Sequence, residues 1–418
     1  MEELLFLAHR IPFPPNKGDK IRSYHLLKHL AQRYRVHLGC FVDDAADWQY
    51  TAHLQAICGE TFFAPLKPRS AKLKSLAGLA SGAPLTLPYY AHAGMQRWVT
   101  QMLAARGVAK VLVFSSAMGQ FVPHDHALHS VVDFVDVDSD KWTQYARAKP
   151  WPLSWLYRRE GRTLLAWERE LAARSDAALF VSEAEARHFT QLAPESAAHI
   201  GWFNNGVDSE YFSPQRDYPD PYPAGRLPLV FTGAMDYWPN VDAVMWFARE
   251  IFPIIRTRFA EAQFVIVGGC PGQAVQDLAQ LPGVTVTGRV GDVRPWLRHA
   301  RLAVAPLRIA RGVQNKVLEA MAMALPVVAS AQALEGIQAV PGRDLLVADN
   351  AARFAEQVMV VLGDAHPGMG TAARAAMLGH YAWPDNLRRV DALLECRNPS
   401  PIQQPPAARV VSLREHHT

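Results

Sequence analysis

Apolar residues come in short β-branched runs that alternate with stretches of helical spacing along most of the chain. That alternation predicts parallel sheets with crossover helices. In the first half "ELLFLAH", "RVHLGCFV", "KVLVFSS", "SVVDFVDV" and "AALFVS" read as strands, and residues 21–34, "IRSYHLLKHLAQRY", as the first crossover helix. The pattern repeats in "LPLVFTG", "AQFVIVGG", "VTVTG", "RLAVAPL" and "LPVVAS", with helices near 240–259, 272–280, 292–300 and 313–324. Between the two series the periodicity breaks at residues 202–214, "WFNNGVDSEYFSP", where Asn, Gly, Asp and Pro favour turns. Two doubly wound α/β domains result, 1–205 and 206–375, followed by a returning helix over 376–396, the helical stretch 371–396 being broken near "YAWP". From Arg397 the polar, Pro-rich "RNPSPIQQPPAARVVSLREHHT" reads as a disordered tail, 397–418.

Length and composition agree with that division. A chain of 418 residues exceeds one ordinary core. Hydrophobic residues make up 50% and charged residues 20%, and no uninterrupted apolar run approaches the roughly 20 residues of a membrane-spanning helix. The start, "MEELLFLAHRIPFPP", has acids where a signal peptide carries cations, so it reads as the first strand. Cys40, Cys58, Cys270 and Cys396 form no C-x-x-C pair, which argues against a zinc site or a disulfide framework and for a reduced, cytoplasmic protein. The net charge of +4 is too modest to indicate a nucleic-acid partner.

The chemistry concentrates in "RIARGVQNKVLEAMAMALPVVAS", residues 308–330. Ligands of open α/β sheets bind beyond the carboxyl ends of strands, and here a strand ends at Pro306 and a loop runs to Gly312, which permits a tight turn. The amides of Val313, Gln314 and Asn315 would then point at an anion. Arg308, Arg311 and Lys316 gather at the same helix end. A helix N-terminus already carries about half a positive charge, so these cations cost free energy unless something negative lies among them. Val317, Leu318, Met321, Ala322 and Leu325 share the core-facing spacing, and Lys316 and Glu319 share another face. The Lys-before-Glu order is the less favourable one for an isolated pair. Spacing alone leaves two readings open, a solvated ion pair and a pair that holds phosphate and hydroxyl groups.

These residues resemble a known family. "GVQNKVLEAMAMALPVVAS" followed by "EGI" at 335–337 is similar to the signature helix and strand of retaining family 4 glycosyltransferases. "NNGVD…YFSP", "VFTGAMDYWPNVDAVMWF", "VTVTGRV" and "YAWP" resemble further segments of that family in the same order, and "PFPPNKGDKIRSYHLLKHLA" and "VVDFVDVDSDKW" resemble the sugar transferases of PEP-CTERM/exosortase exopolysaccharide loci. The resemblance covers about residues 3–390. It implies the GT-B fold: two facing Rossmann-like domains, an interdomain cleft and a C-terminal helix returning to the N-domain. It also implies a nucleotide-diphosphate-sugar donor, transfer to a glycan or lipid-linked acceptor with retention, and no metal or other cofactor. By position it places Glu319 on the ribose, Gly312, Val313, Gln314 and Asn315 on the pyrophosphate, and Arg289 at the base. Gly18 falls in the N-domain loop near the donor phosphates. Arg311 stands where the family usually has a glutamate, and "GAMDYWPN" lacks the familiar Arg and Lys. Arg308, Arg311 and Lys316 are therefore expected to neutralise phosphate, with Lys316 and Arg311 acting in catalysis.

Four other features carry expectations. Lys17, Lys20 and Arg22 read as added positive charge around Gly18. Asp136 and Asp138 form a D-x-D, a pattern that holds divalent cations in a different fold; with the surroundings of GT-B type, no metal is expected, and Asp138 is assigned to acceptor contact or proton removal. Ser139 reads as the N-cap of a helix from Asp140. Residues 141–174 hold four tryptophans among eight Lys+Arg, and 66–80 is basic and apolar; both suit either a peripheral contact with the inner membrane or an ordinary exposed face. Two rival functions stand beside the transferase, a sugar-nucleotide epimerase and a non-catalytic sugar-binding scaffold. The absence of G-x-G-x-x-G after a strand argues against a nicotinamide enzyme.

Overall fold

The computed structural model describes residues 1–15, 18–124, 128–147, 149–310 and 313–395. Arg311, Gly312, Lys17 and the tail assigned to 397–418 lie outside the described residues.

Two parallel sheets carry the fold. The first has seven strands, β1 (Glu2–Ala8), β2 (Tyr34–Val42), β3 (Thr61–Pro65), β4 (Lys110–Phe114), β5 (His129–Val135), β6 (Ala177–Phe180) and β7 (Ile200–Trp202), in the order β3-β2-β1-β4-β5-β6-β7. The second has β8 (Leu227–Thr232), β9 (Ala262–Val267), β10 (Val284–Gly288), β11 (Leu302–Ala305), β12 (Val327–Ala329) and β13 (Leu346–Val347), in the order β10-β9-β8-β11-β12-β13. All the pairings described are parallel. Seven helices matter below: α1 (Gly18–Leu30), α2 (Asp138–Arg147), α3 (Leu153–Ala173), α4 (Trp238–Trp246), α5 (Asn315–Ala322), α6 (Met369–Tyr381) and α7 (Trp383–Glu395). This is the GT-B arrangement of two Rossmann-like domains.

All ten strands expected from the pattern are present, and the three it omits, β3, β7 and β13, each lie at a sheet edge. Edge strands are short and need no two-sided apolar run, so they leave a weak signal. The first helix ends at Leu30 rather than 34, because Tyr34 is already the first, buried residue of β2. Ser139 is not an N-cap: α2 begins at Asp138, and the Ser139 hydroxyl instead donates to Glu168 at 2.5 Å.

Strand β1 shows why the first sheet is buried on both faces. Alternate side chains of a strand point to opposite sides. Leu4, Phe6 and Ala8 pack on Leu26, Leu27 and Leu30 of α1, whereas Leu5 and Leu7 pack on Met95 and Val99 behind. Helix α7, although last in sequence, supplies Trp383, Leu387, Val390 and Leu394 to the α1 side of this N-terminal core. Each such buried side chain contributes about 1.5–3 kcal/mol, so Leu387→Ala would cost roughly 2–5 kcal/mol and loosen the helix. Polar contacts fix its register: Asp391 accepts from Arg33 at 2.7 Å and the His129 ring meets the Leu393 carbonyl at 2.7 Å.

The connection between the sheets is held by a buried arginine. Arg22 on α1 is fully buried and forms a two-point pair with Asp133 on β5, at 2.7 and 3.1 Å. Its remaining donors reach the carbonyls of Phe203 and Phe180 and the Asn205 amide oxygen, and its plane lies 3.5 Å from the Phe203 ring centre. Every donor direction is answered, which is the condition under which a buried charge persists.

Candidate functional site

Both sheets change winding direction at their first strand, between β1 and β4 and between β8 and β11. The segments leaving β1, β7 and β10 meet the starts of α1 and α5 at one cleft. A cavity of about 650 Å³ opens there, lined by Pro14, Ile21 and His25 from the N-domain, by Asp208, Tyr211 and Phe212 from the connection, and by Val290, Asp292, Asn315 and Glu319 from the C-domain.

Two helix N-termini meet at this cavity. A Cβ placed on Gly18, the first residue of α1, would lie 4.0 Å from the side-chain nitrogen of Asn315, the first residue of α5. Gln314 takes the N-cap position of α5 without a side-chain capping bond, and the Asn315 side-chain oxygen is buried without a hydrogen-bond partner. Amides and dipoles of both helices thus point at one volume, the arrangement that binds an anion.

Glu319 lines the cavity, and Lys316, in the first turn of α5, stands beside Asn240; both are half-buried. The Lys316 ammonium donates to the Asn240 side-chain oxygen at 2.7 Å and lies 5.2 Å from the Phe231 ring centre. Burial lowers the Lys316 pKa to about 8, against the opposing effect of Glu319. Burial likewise raises the Glu319 pKa to about 7, against the opposing effect of Lys316. Each group ionises less readily than in water because the low-dielectric wall penalises its charge more than its neighbour compensates. Displaced titrations of this kind cluster at functional sites.

The strand ends are shaped for close approach. A Cβ on Gly268 would stand 1.7 Å from the Gly233 carbonyl oxygen, and one on Gly233 would meet Asn240 at 2.7 Å. Only glycine lets the ends of β8 and β9 close up beneath Lys316.

The other assigned residues divide. Val313, Gln314, Asn315, Lys316 and Glu319 are brought together, and Gly18 faces them. Arg289 is exposed after β10 beside Gly269. Arg308 is engaged elsewhere: it forms a two-point pair with Asp242 of α4 and stacks over Trp246 at 5.4 Å. Lys20 and Arg22 do not enlarge the cleft's positive charge, for Lys20 is buried against Asp47 at 2.5 Å and Arg22 is enclosed by Asp133. Helical geometry turns both side chains inward, which the string "KGDKIR" does not reveal.

A second cavity, of about 730 Å³, lies wholly in the N-domain and is lined by His9, Asp19, Tyr90, Asp136, Asp138, Lys141, Trp142, Tyr157 and Glu160 among others. Ile21 lines the first cavity and Asp19 the second, so the two adjoin at the start of α1. Asp138, expected at the acceptor, lines this N-domain cavity and not the interdomain one, and with Asp136 it shares the Lys141 ammonium, at 3.0 and 2.7 Å. The two carboxylates outweigh burial and hold Lys141 well above the ordinary lysine range. Glu168, behind Ser139, is pushed up to about 8 by burial and by Asp138. At the end of β1, burial raises the Asp19 carboxyl, but His9 and Arg10 outweigh it and hold it well below the usual range. The strands feeding the cavity end in left-handed backbone at Ser115 (φ 78°) and Val135 (φ 70°), a conformation costing about 1–3 kcal/mol for such residues and common at ligand sites.

Several cleft residues carry no motif that sequence reasoning could use. Asn240 sits in the first turn of α4, whose Pro239 marks the helix start, but only the fold carries it to Lys316. His25, stacked on Trp383 at 4.6 Å and lowered to about 4 by burial, joins the cleft because α7 returns across α1.

Comparisons with known proteins agree with this geometry. Residues 226–364 match the family model for glycosyl transferases, group 1. No curated protein sequence matches the chain. Among solved structures, Anabaena HepE in complex with UDP is similar at 15% identity and a TM-score of 0.65, over 94% of this chain and 100% of that one. Sucrose-phosphate synthase from Thermosynechococcus elongatus is similar at 15% identity and a TM-score of 0.67, over 94% and 98%. A Listeria monocytogenes protein assigned as a UDP-N-acetylglucosamine 2-epimerase is similar at 14% identity and a TM-score of 0.57, over 96% and 99%. Residues 226–364 thus match the group 1 glycosyl transferase model, and the chain takes the GT-B fold.

Proposed function

We propose that the protein is a glycosyltransferase that takes a sugar from a nucleoside diphosphate and passes it, with retention, to a glycan or lipid-linked acceptor during cell-surface polysaccharide assembly. The observation carrying this reading is the meeting of two helix N-termini at one interdomain cavity that Asn315 and Glu319 line, with Lys316 in the same first turn of α5. In it the diphosphate lies between the α1 and α5 termini, with Lys316 on a phosphate oxygen and Glu319 accepting from ribose hydroxyls. The fixed amides and the ammonium stabilise negative charge as the nucleotide departs. The acceptor lies in the adjoining N-domain cavity, where Asp138, paired with Lys141, orients its hydroxyl. Attack on the face from which the nucleotide leaves gives retention. The reading invokes no metal, since the Lys141 ammonium already bridges the two carboxylates of the D-x-D.

Because HepE was solved with UDP, uridine nucleotides are the first donors to test. A thermal-shift panel of nucleoside diphosphates and their sugars decides the matter, since a ligand at a hundred times its Kd adds about 2.7 kcal/mol. One nucleotide class should raise the melting temperature, and Glu319→Ala should remove the rise without changing the unliganded melt. No rise with any nucleotide refutes the donor site. The epimerase reading, favoured by the fold shared with the Listeria protein, requires an epimer from donor alone; release of nucleoside diphosphate that depends on an acceptor excludes it.

A further inference from the structure

Two segments of the N-domain expose apolar side chains beside one cavity mouth. Helices Pro68–Ser75 and Ala77–Ser81, with the residue joining them, carry Leu73, Leu76 and Leu79 at every third residue, and the start of α3 with the turn before it carries Trp151 and Trp155. Leu73 is 71% exposed, Trp151 80% and Trp155 53%. The segments are neighbours. Arg159 of α3 donates to the Gly78 and Ala83 carbonyls, Glu160 accepts from the Leu85 and Thr86 amides, and both segments line the N-domain cavity through Leu76, Leu85, Leu153 and Leu156.

Charge on this face is of one sign. Residues 66–92 hold four Lys or Arg and 141–159 hold five, with no Asp or Glu in either stretch. Arg158, Arg159 and Lys141 are used within the fold, whereas Lys67, Arg69, Lys74, Arg147 and Lys149 are exposed. A second copy of the chain would bring these cations against themselves, and a water-facing surface would leave the leucines and tryptophans unpaired. Exposed apolar groups ringed by cations match an interface that is apolar beneath and anionic above.

We propose that this face docks on an anionic lipid bilayer, with Leu73, Trp151 and Trp155 entering the headgroup boundary and the flanking lysines and arginines on lipid phosphates. The N-domain cavity then opens at the bilayer, and an acceptor reaches Asp138 from the membrane side. No helix among the described residues is long and apolar enough to cross a membrane, so attachment is reversible and peripheral. Docking itself does not depend on the transferase reading, and only the acceptor's route rests on it.

Flotation of the full chain with vesicles tests the docking. Vesicles containing about one-third phosphatidylglycerol should carry the protein upward, pure phosphatidylcholine should not, and high salt should weaken the association. Leu73→Ser combined with Trp151→Ser and Trp155→Ser should reduce partitioning about tenfold or more, as should Lys67→Gln with Arg69→Gln and Lys74→Gln. Each substituted residue is exposed, and an unchanged thermal melt and nucleotide-induced shift show that the donor site is intact. Absence of the parent chain from anionic vesicles, or flotation unaltered in both variants, overturns the proposal. Concentration-dependent self-association lost in the Leu/Trp variant, without vesicle binding, assigns the face to a dimer and equally overturns it. Failure of the donor proposal would instead appear as no nucleotide shift with flotation retained.

Discussion

Glu319→Gln separates the carboxylate's charge from its shape. Glutamine resembles the protonated acid, so the variant should differ from the parent only where the parent is ionised. With a pKa of about 7 in the unliganded cleft, Glu319 is about three-quarters ionised at pH 7.5 and about 3% ionised at pH 5.5. A hydrogen bond to a charged group contributes about 1.5–3 kcal/mol. The variant should therefore bind a nucleoside diphosphate about 10- to 100-fold more weakly at pH 7.5. For a 30-fold full effect, the gap narrows to about twofold at pH 5.5. Titration of the nucleotide's own phosphate cancels in the ratio. The sign follows from ribose hydroxyls donating to the ionised form: they lower the Glu319 pKa in the complex, so binding releases a proton near pH 7. Above about pH 8 Lys316 loses its proton and affinity falls again. Isothermal titration calorimetry at the two pH values, each in two buffers of different ionisation enthalpy, measures both the ratio and the proton. Equal weakening at both pH values, or none, would refute the ribose role of Glu319.

The other predictions concern charge and burial. Lys316→Met should weaken nucleoside diphosphate binding about tenfold or more and leave binding of the bare nucleoside nearly unchanged, because the ammonium addresses phosphate; equal losses for both ligands would place Lys316 elsewhere. Arg22→Met strands the buried Asp133 carboxylate and should cost about 3–5 kcal/mol in urea unfolding followed by fluorescence, so a loss below 1 kcal/mol contradicts the account of the linker. Glu168, raised to about 8 by burial and Asp138, binds its proton more tightly folded than unfolded. Its contribution is intact below about pH 4.5 and lost as pH rises to about 8. Stability measured from pH 5 to 8.5 should move in favour of Glu168→Gln as pH rises, and a constant difference would show that Glu168 does not titrate there.

What the sequence disclosed depends on how local the cause is. The interior strands of both sheets announce themselves, since a strand buried on two faces needs a run such as "LLFLA" or "FVIV". Edge strands β3, β7 and β13 lack that constraint. The α5 helix was legible because its apolar spacing, its uncapped start and the Lys316–Glu319 pair lie within a few residues. Arg308, Lys20 and Arg22 were not, because one basic side chain looks like another until Asp242, Asp47 and Asp133 are placed beside them. Those partners lie tens of residues or more away, and only folding selects them. Likewise Lys141 reads as one cation in a basic stretch, whereas its position between Asp136 and Asp138 makes it part of the N-domain cavity.

The central claim is that a nucleoside diphosphate occupies the cleft where α1 and α5 begin. Hydrogen exchange of the full chain with and without the nucleotide selected by thermal shift tests it most directly. The account predicts slowed exchange at residues 313–319 and 18–22, with little change around Trp142 and Tyr157 in the N-domain cavity. Unchanged exchange at 313–319 in the presence of bound nucleotide would contradict it.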